Sequence, residues 1–209
     1  MFSLQTIFGK GDRFYTLLEA SADAARQSAG ALIALLVSPT AGPSLEDFKA
    51  SRRREKEILA EINVELVNTF ITAIEREDIE ALAAALYKIP KTIERFAERY
   101  VPYAERLVDV DYASRAVLLE KATDVIVEMV GGLRGGFRLD RMSALNDRMQ
   151  AIESEADRLM LELYRDLYRK ERAATELLLR KDLFELLEKA IDRCRDVGNT
   201  VYHIVLKNS

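Results

Sequence analysis

The feature that most constrains this fold is an internal repeat. Laid over itself with a shift of 101 residues, the chain brings Leu66 onto Leu167, Leu82 onto Leu183 and Leu86 onto Leu187 without a gap. Similarity at a fixed offset marks a duplicated structural unit. The expectation is one domain, 1–209, made of two three-helix units at about 1–105 and 106–209 and related by a pseudo-two-fold.

Each unit reads as helix throughout, because apolar residues recur at spacings of three and four. The first helix spans about Asp12 to Ser38, with Phe14, Leu17, Ser21, Ala24, Ser28, Ala31 and Leu35 on one face. Two prolines and a glycine between Pro39 and Ser44 stop it. The second runs from about Leu45 to Thr72, with Phe48, Ile58, Ile62, Leu66 and Phe70 inward. The third carries the cleanest heptad, Ile79, Leu82, Leu86, Ile89, Ile93, Phe96 and Tyr100, and Pro90 should kink it. A fourth starts near Tyr112 with Leu118, Ala122, Val125 and Met129 inward, and stops at the glycines from Gly131 to Gly136. Those glycines lack the Lys-Ser/Thr pair that a phosphate-cradling loop needs. The fifth covers about Asp140 to Arg172 and the sixth about Thr175 to the end, the latter with Leu183, Leu186, Ala190, Cys194, Val197, Val201 and Ile204 inward. The fold class is therefore all-α, six long helices in an antiparallel bundle.

Composition narrows the function. A formal charge of −4 argues against general nucleic-acid binding. One cysteine, Cys194, allows no internal disulfide and suits a reducing cytoplasm; its place on the apolar stripe reads as core. Gly198 on the same helix reads as a point of close helix approach, and His203 as an ordinary surface histidine. The longest apolar run, Ala31 to Val37, is too short to span a bilayer, and the N-terminus has no export-signal pattern. Any membrane role is expected to be peripheral.

The residues that carry chemistry are acidic pairs. Glu153 with Asp157, and Glu188 with Asp192, stand one helical turn apart, on one face of each helix. With Asp196, two such helices side by side could hold a cation. All-oxygen ligation with so little histidine favours magnesium, manganese or iron over structural zinc. The alternative is a solvated acidic face bridged by Arg158, Lys189 and Arg193. Under the repeat, the acidic positions become Arg52, Lys56, Tyr87, Lys91 and Arg95 in the first unit. The four basic residues could converge on an anion such as phosphate or a lipid headgroup, or pair with Glu55 and Glu94.

One stretch is more specific. Thr69-Phe70-Ile71-Thr72, followed by Ile74-Glu75-Arg76-Glu77-Asp78-Ile79, resembles the T-F-I-T-P-I-x-R-E-D-I signature of PhoU-like regulators found with Pit-type inorganic phosphate transporters. Glu153-xxx-Asp157 and Glu188-xxx-Asp192-xxx-Asp196 resemble the acidic metal-binding motifs of that family, and the likeness spans the chain. It implies a cytoplasmic, all-helical protein of two pseudo-repeats that binds metal clusters of iron, manganese, magnesium or zinc. It also implies modulation of phosphate uptake by contact with a Pit-type transporter at the inner face of the membrane. The first half departs from the pattern. Its acidic motifs are replaced by Arg52-Arg53-Arg54-Glu55-Lys56 and Tyr87-Lys88-Ile89-Pro90-Lys91, and the signature proline is Ala73. That leaves one cluster or none.

Three functional classes follow. A metal-binding, non-enzymatic regulator of phosphate transport is the leading reading, and a helical adaptor with residual acidic motifs and no metal is the alternative. A carboxylate-metal enzyme is the third, disfavoured because no nucleophile–base arrangement stands out. Spare apolar residues such as Leu177, Leu178 and Ile204 would allow a homo-oligomer.

Overall fold

A computed structural model of the chain describes the backbone at 4–38, 44–169 and 173–209, and side chains from residue 12 onward. Seven α-helices and one 3-10 helix make up the described residues: α1 Leu4–Val37, α2 Glu46–Asn68, α3 Arg76–Leu86, α4 Lys88–Tyr100, the 3-10 helix Val101–Arg106, α5 Ala113–Arg134, α6 Leu139–Arg169 and α7 Ala174–Asn208. No strand occurs among them. Helix α1 lies along α5, with α2 packed on α1 and α6 packed on α5. Helix α7 crosses between the units, touching α3 and α4 on one side and α5 and α6 on the other. The arrangement is the pseudo-repeated six-helix bundle expected from the sequence, with α3 and α4 as the two parts of one kinked element.

The kink has a plain cause. Pro90 has no N–H to donate, and a proline deep in a helix would break the ladder. The helix breaks instead at Tyr87, which puts Pro90 at the third position of α4, where N–H groups have no intrahelical acceptor anyway. The heptad is unaffected: Ile79, Leu82, Leu86, Ile89, Ile93, Phe96 and Tyr100 are all buried. Tyr100, Phe96, Tyr112 and Phe184 then join in a chain of ring contacts with centroids 5.5–5.9 Å apart. That chain ties α4 to the start of α5 and to α7.

The C-terminus of α5 is fixed differently. The helix continues through Gly131 and Gly132 to Arg134 and ends on Gly135, with Gly136 at φ 96°, a left-handed value that glycine tolerates without strain. The helix thus stops within the glycine run, at its second pair of glycines. Arg134 reaches across to α1, donating to both carboxylate oxygens of Glu19 at 2.9 Å and to Asp12 at 3.1 Å. It clamps the two central helices together.

Three expectations need correction, and two lie outside the described residues. Helix α2 ends at Asn68 rather than Thr72, because Thr69 is already extended and the Arg76 guanidinium takes the carbonyls of Leu66 and Thr69. Phe70, expected on the buried face, is 99% exposed. The expected break at Pro39 to Pro43 and the expected end of the fifth helix at Arg172 fall outside the described residues. Gly198 is buried in α7, but a β-carbon there would sit 3.6–3.8 Å from the side chains of Met129 and Met149, ordinary contact rather than a forced close approach.

Gly198→Ala is therefore expected to stabilise the fold by up to about 1 kcal/mol, the difference in helix propensity. Thermal melting should rise by about 2–4 °C for a chain of this size. Gly198→Leu, whose side chain must displace both methionines, should lower it.

Candidate functional site

The second unit places its acidic residues on the facing sides of α6 and α7. Burial raises the carboxyl of Glu188 above its ordinary range, and the charges of Asp192, Asp157 and Glu185 raise it further. Asp157 of α6 and Asp192 of α7 thus lie within electrostatic reach of Glu188. Three of the five, Glu153, Asp192 and Asp196, are engaged by arginines. Arg195 is paired with Glu153 across the two helices, and it lies 3.6 Å from Asp192. Asp196 is taken by Arg193 at 2.9 Å. Arg158, expected to bridge this face, turns instead to Glu162 at 2.8 Å. Among the described residues no group of three or more His, Cys, Asp or Glu side chains could hold a metal ion. The expected centre of iron, manganese, magnesium or zinc on Glu153, Asp157, Glu188, Asp192 and Asp196 is thereby corrected. The physical reason is that the Arg195 guanidinium already supplies positive charge beside Glu153 and Asp192.

In the first unit, the basic residues are partly sequestered. Arg52 is buried, with its guanidinium 3.8 Å from the centre of the Tyr87 ring and its Nε 3.5 Å from Glu94. The Lys91 ammonium is 5.7 Å from the same ring. Cation–π contacts of this kind are worth about 1–2 kcal/mol when partly desolvated. Lys56 and Arg95 are exposed, and Arg95 shares its shallow groove with Glu98, Arg99, Asp182, Glu185 and Lys189. The structure thus brings Arg52 and Lys91 together around Tyr87 and leaves Lys56 and Arg95 at the surface.

Comparing the two units exposes a relation that the sequence reading missed. Under the repeat, Arg52 corresponds to Glu153 and Glu94 corresponds to Arg195. Both pairs bridge equivalent helices, α2 to α4 and α6 to α7, with the charges exchanged. The signal was present: reading the repeat on to Glu94 would have shown the reversal at one position compensated at the other.

Beside Arg52 lies a buried carboxyl. Glu55 accepts a hydrogen bond from Ser21 of α1, which explains why a serine stands in the apolar stripe of that helix. Burial pushes Glu55 up from its ordinary value of 4.5 to about 7, against the opposing effects of the Ser21 hydrogen bond and the charges of Arg52 and Arg54. Cys194 is fully buried in α7, and burial pushes its thiol well up, so it is a core residue. His203 is exposed.

The signature stretch forms the turn between α2 and α3. Ile74 and Ile79 are buried, Arg76 caps the carbonyl end of α2, and Glu75 and Asp78 receive Lys207 from the end of α7 at 3.1 and 2.8 Å. Most of the motif is therefore architectural. Phe70 and Ile71 are the exception, both facing outward.

No protein-family model matches the chain. A Rhizobium meliloti (strain 1021) protein named "Putative pit accessory protein" is 26% identical over 204 residues, 94% of each chain. UPF0111 protein YkaA of Bacillus subtilis (strain 168) is 26% identical over 147 residues, covering 69% of this chain and 70% of its own length. A PhoU-like protein from Shewanella oneidensis MR-1 superposes with a TM-score of 0.80 at 17% identity, over 93% of this chain and 99% of that one. A "putative PhoU-like phosphate regulatory protein" from the same organism gives 0.79 at 16%, with the same coverage. The chain has the PhoU-like fold.

Two measurements check the geometry. Between about pH 4.5 and 7 the native state holds a proton on Glu55 that the unfolded chain has released, so stability should fall as pH rises through that window. Chemical denaturation of Glu55→Gln should lack that fall and show a gain over the parent above about pH 7. For the inter-helix pair, Glu153→Ala and Arg195→Ala should each destabilise with a coupling of about 1 kcal/mol. The exchanged pair Glu153→Arg with Arg195→Glu, which copies the polarity of the first unit, should recover most of the loss.

Proposed function

We propose that this chain is a non-enzymatic regulatory or accessory protein of inorganic phosphate transport, acting by contact with a membrane phosphate transporter of the Pit type at its cytoplasmic face, without a bound metal. The observation that carries the reading is the end-to-end similarity to the Rhizobium pit accessory protein, over 94% of each chain. The PhoU-like fold supports it. Among the described residues, no helix is long and apolar enough to cross a membrane, which fits a protein that works at the surface of a transporter rather than within the bilayer. The second unit's acidic face then carries one ion pair that joins α6 to α7, Glu153 to Arg195, and its carboxylates need not bind any ligand for the protein to work.

The test is uptake of radiolabelled phosphate by cells expressing a Pit-type transporter with and without this chain. Uptake should depend on the chain. Glu188→Ala with Asp192→Ala should restore it as well as the parent does. Failure of that variant, with its folding intact, would overturn the metal-free reading; uptake indifferent to the chain would overturn the regulatory one.

A further inference from the structure

The turn between α2 and α3 presents an apolar surface that the fold does not use. Val64, Val67, Phe70 and Ile71 are 58, 83, 99 and 65% exposed. They are not on a loose loop. Arg76 holds the carbonyls of Leu66 and Thr69, Thr69 and Ile74 are buried on either side, and Lys207 ties Glu75 and Asp78 to α7. An apolar pair is not a demand of the turn either, since Phe70 and Ile71 correspond under the repeat to Glu171 and Arg172. A fully exposed phenylalanine on a fixed turn gives up the stabilisation that burial would bring, and is the kind of residue that serves as an anchor at an interface.

The charge around it selects the partner. From Val64 to Glu80 the chain carries Glu65, Glu75, Glu77, Asp78 and Glu80, against a single base, Arg76, whose guanidinium is turned onto backbone carbonyls. Lys207 offsets only part of that charge. An acidic rim is repelled by anionic lipid headgroups. It complements the lysine- and arginine-rich loops that integral membrane proteins keep on the cytoplasmic side.

We propose that Phe70 and Ile71, flanked along the chain by Glu65, Glu75 and Glu77, are the surface by which this chain docks on a basic cytoplasmic loop of an integral membrane protein. The assignment rests on the accessory role proposed above and says where that contact is made. Phe70 inserts into an apolar pocket of the partner, and the acidic rim sets orientation and speeds encounter.

The experiment is binding of the full chain to phosphatidylcholine nanodiscs loaded with a Pit-type phosphate transporter, to empty discs, and to phosphatidylcholine vesicles doped with phosphatidylglycerol. The parent should bind only the loaded discs, more weakly as salt is raised. Phe70→Ser with Ile71→Ser should weaken binding about tenfold or more while leaving thermal melting unchanged, since both side chains face water. Glu75→Lys with Glu77→Lys should also weaken it. Equal binding by the serine variant would overturn this docking surface while leaving the accessory role standing. Binding to the anionic vesicles that the serine variant loses would mean a lipid-facing surface and overturn the proposal. A concentration-dependent dimer in sedimentation that the same variant abolishes would overturn it in favour of self-association. No binding of the parent to loaded discs would overturn both the surface and the role beneath it.

Discussion

The contact between α1 and α5 is the constraint on which the rest of the bundle depends. Each helix belongs to a different unit, and each must bury a stripe of small and aliphatic side chains: Leu18, Ala22, Ala25, Ala29 and Leu32 in α1, and Ala116, Leu119, Ala122 and Ile126 in α5. Alanines along both stripes let the axes approach, and Arg134 fixes how far α5 can slide along α1 by engaging Asp12 and Glu19. Once that central pair is set, α2 and α6 can cover only its flanks, and α7 closes the remaining side against α3 and α4. The core is accordingly continuous across the two units rather than divided between them.

The same duplication explains the charged residues. After a duplication, both copies inherit the geometry of the contact between the second and third helices, but not its chemistry. In one copy, the bridge is Arg52 to Glu94 with Tyr87 beneath the guanidinium; in the other, it is Glu153 to Arg195, with Glu188 in place of the tyrosine. The buried Arg52 needs a counter-charge within reach, whereas Arg195 is partly exposed. The fold supplies one from the adjoining helix in either polarity.

Much of this architecture was legible in the sequence because it rests on periodicity. The heptad from Ile79 to Tyr100 lies in the core at every position, and Pro90 announced the break between α3 and α4. What periodicity could not reveal was the partner of each charge. Spacing along α7 placed Glu188 near Asp192, but it carried no information about which residue of α6 Arg195 reaches, so Glu153, already paired, was taken as a ligand. Phe70 was misplaced for a related reason. It continues the apolar stripe of α2 on paper, whereas the helix has ended two residues earlier through a hydrogen bond from Arg76, a residue of the following element. Local pattern is blind to a stop imposed from outside the helix.

The unequal third elements of the two units have a mechanical consequence. Helix α7 is an unbroken rod of 35 residues, about 50 Å long, pinned near its start by Arg180 to Asp109 at 2.7 Å and near its end by Lys207 to Asp78 at 2.8 Å. Its counterpart is jointed at Tyr87. Through Lys207 the α2–α3 turn is tied to the end of this continuous helix, whereas the corresponding element of the first unit changes direction at Tyr87. The duplication has thus left one straight strut and one jointed strut at equivalent places in the bundle.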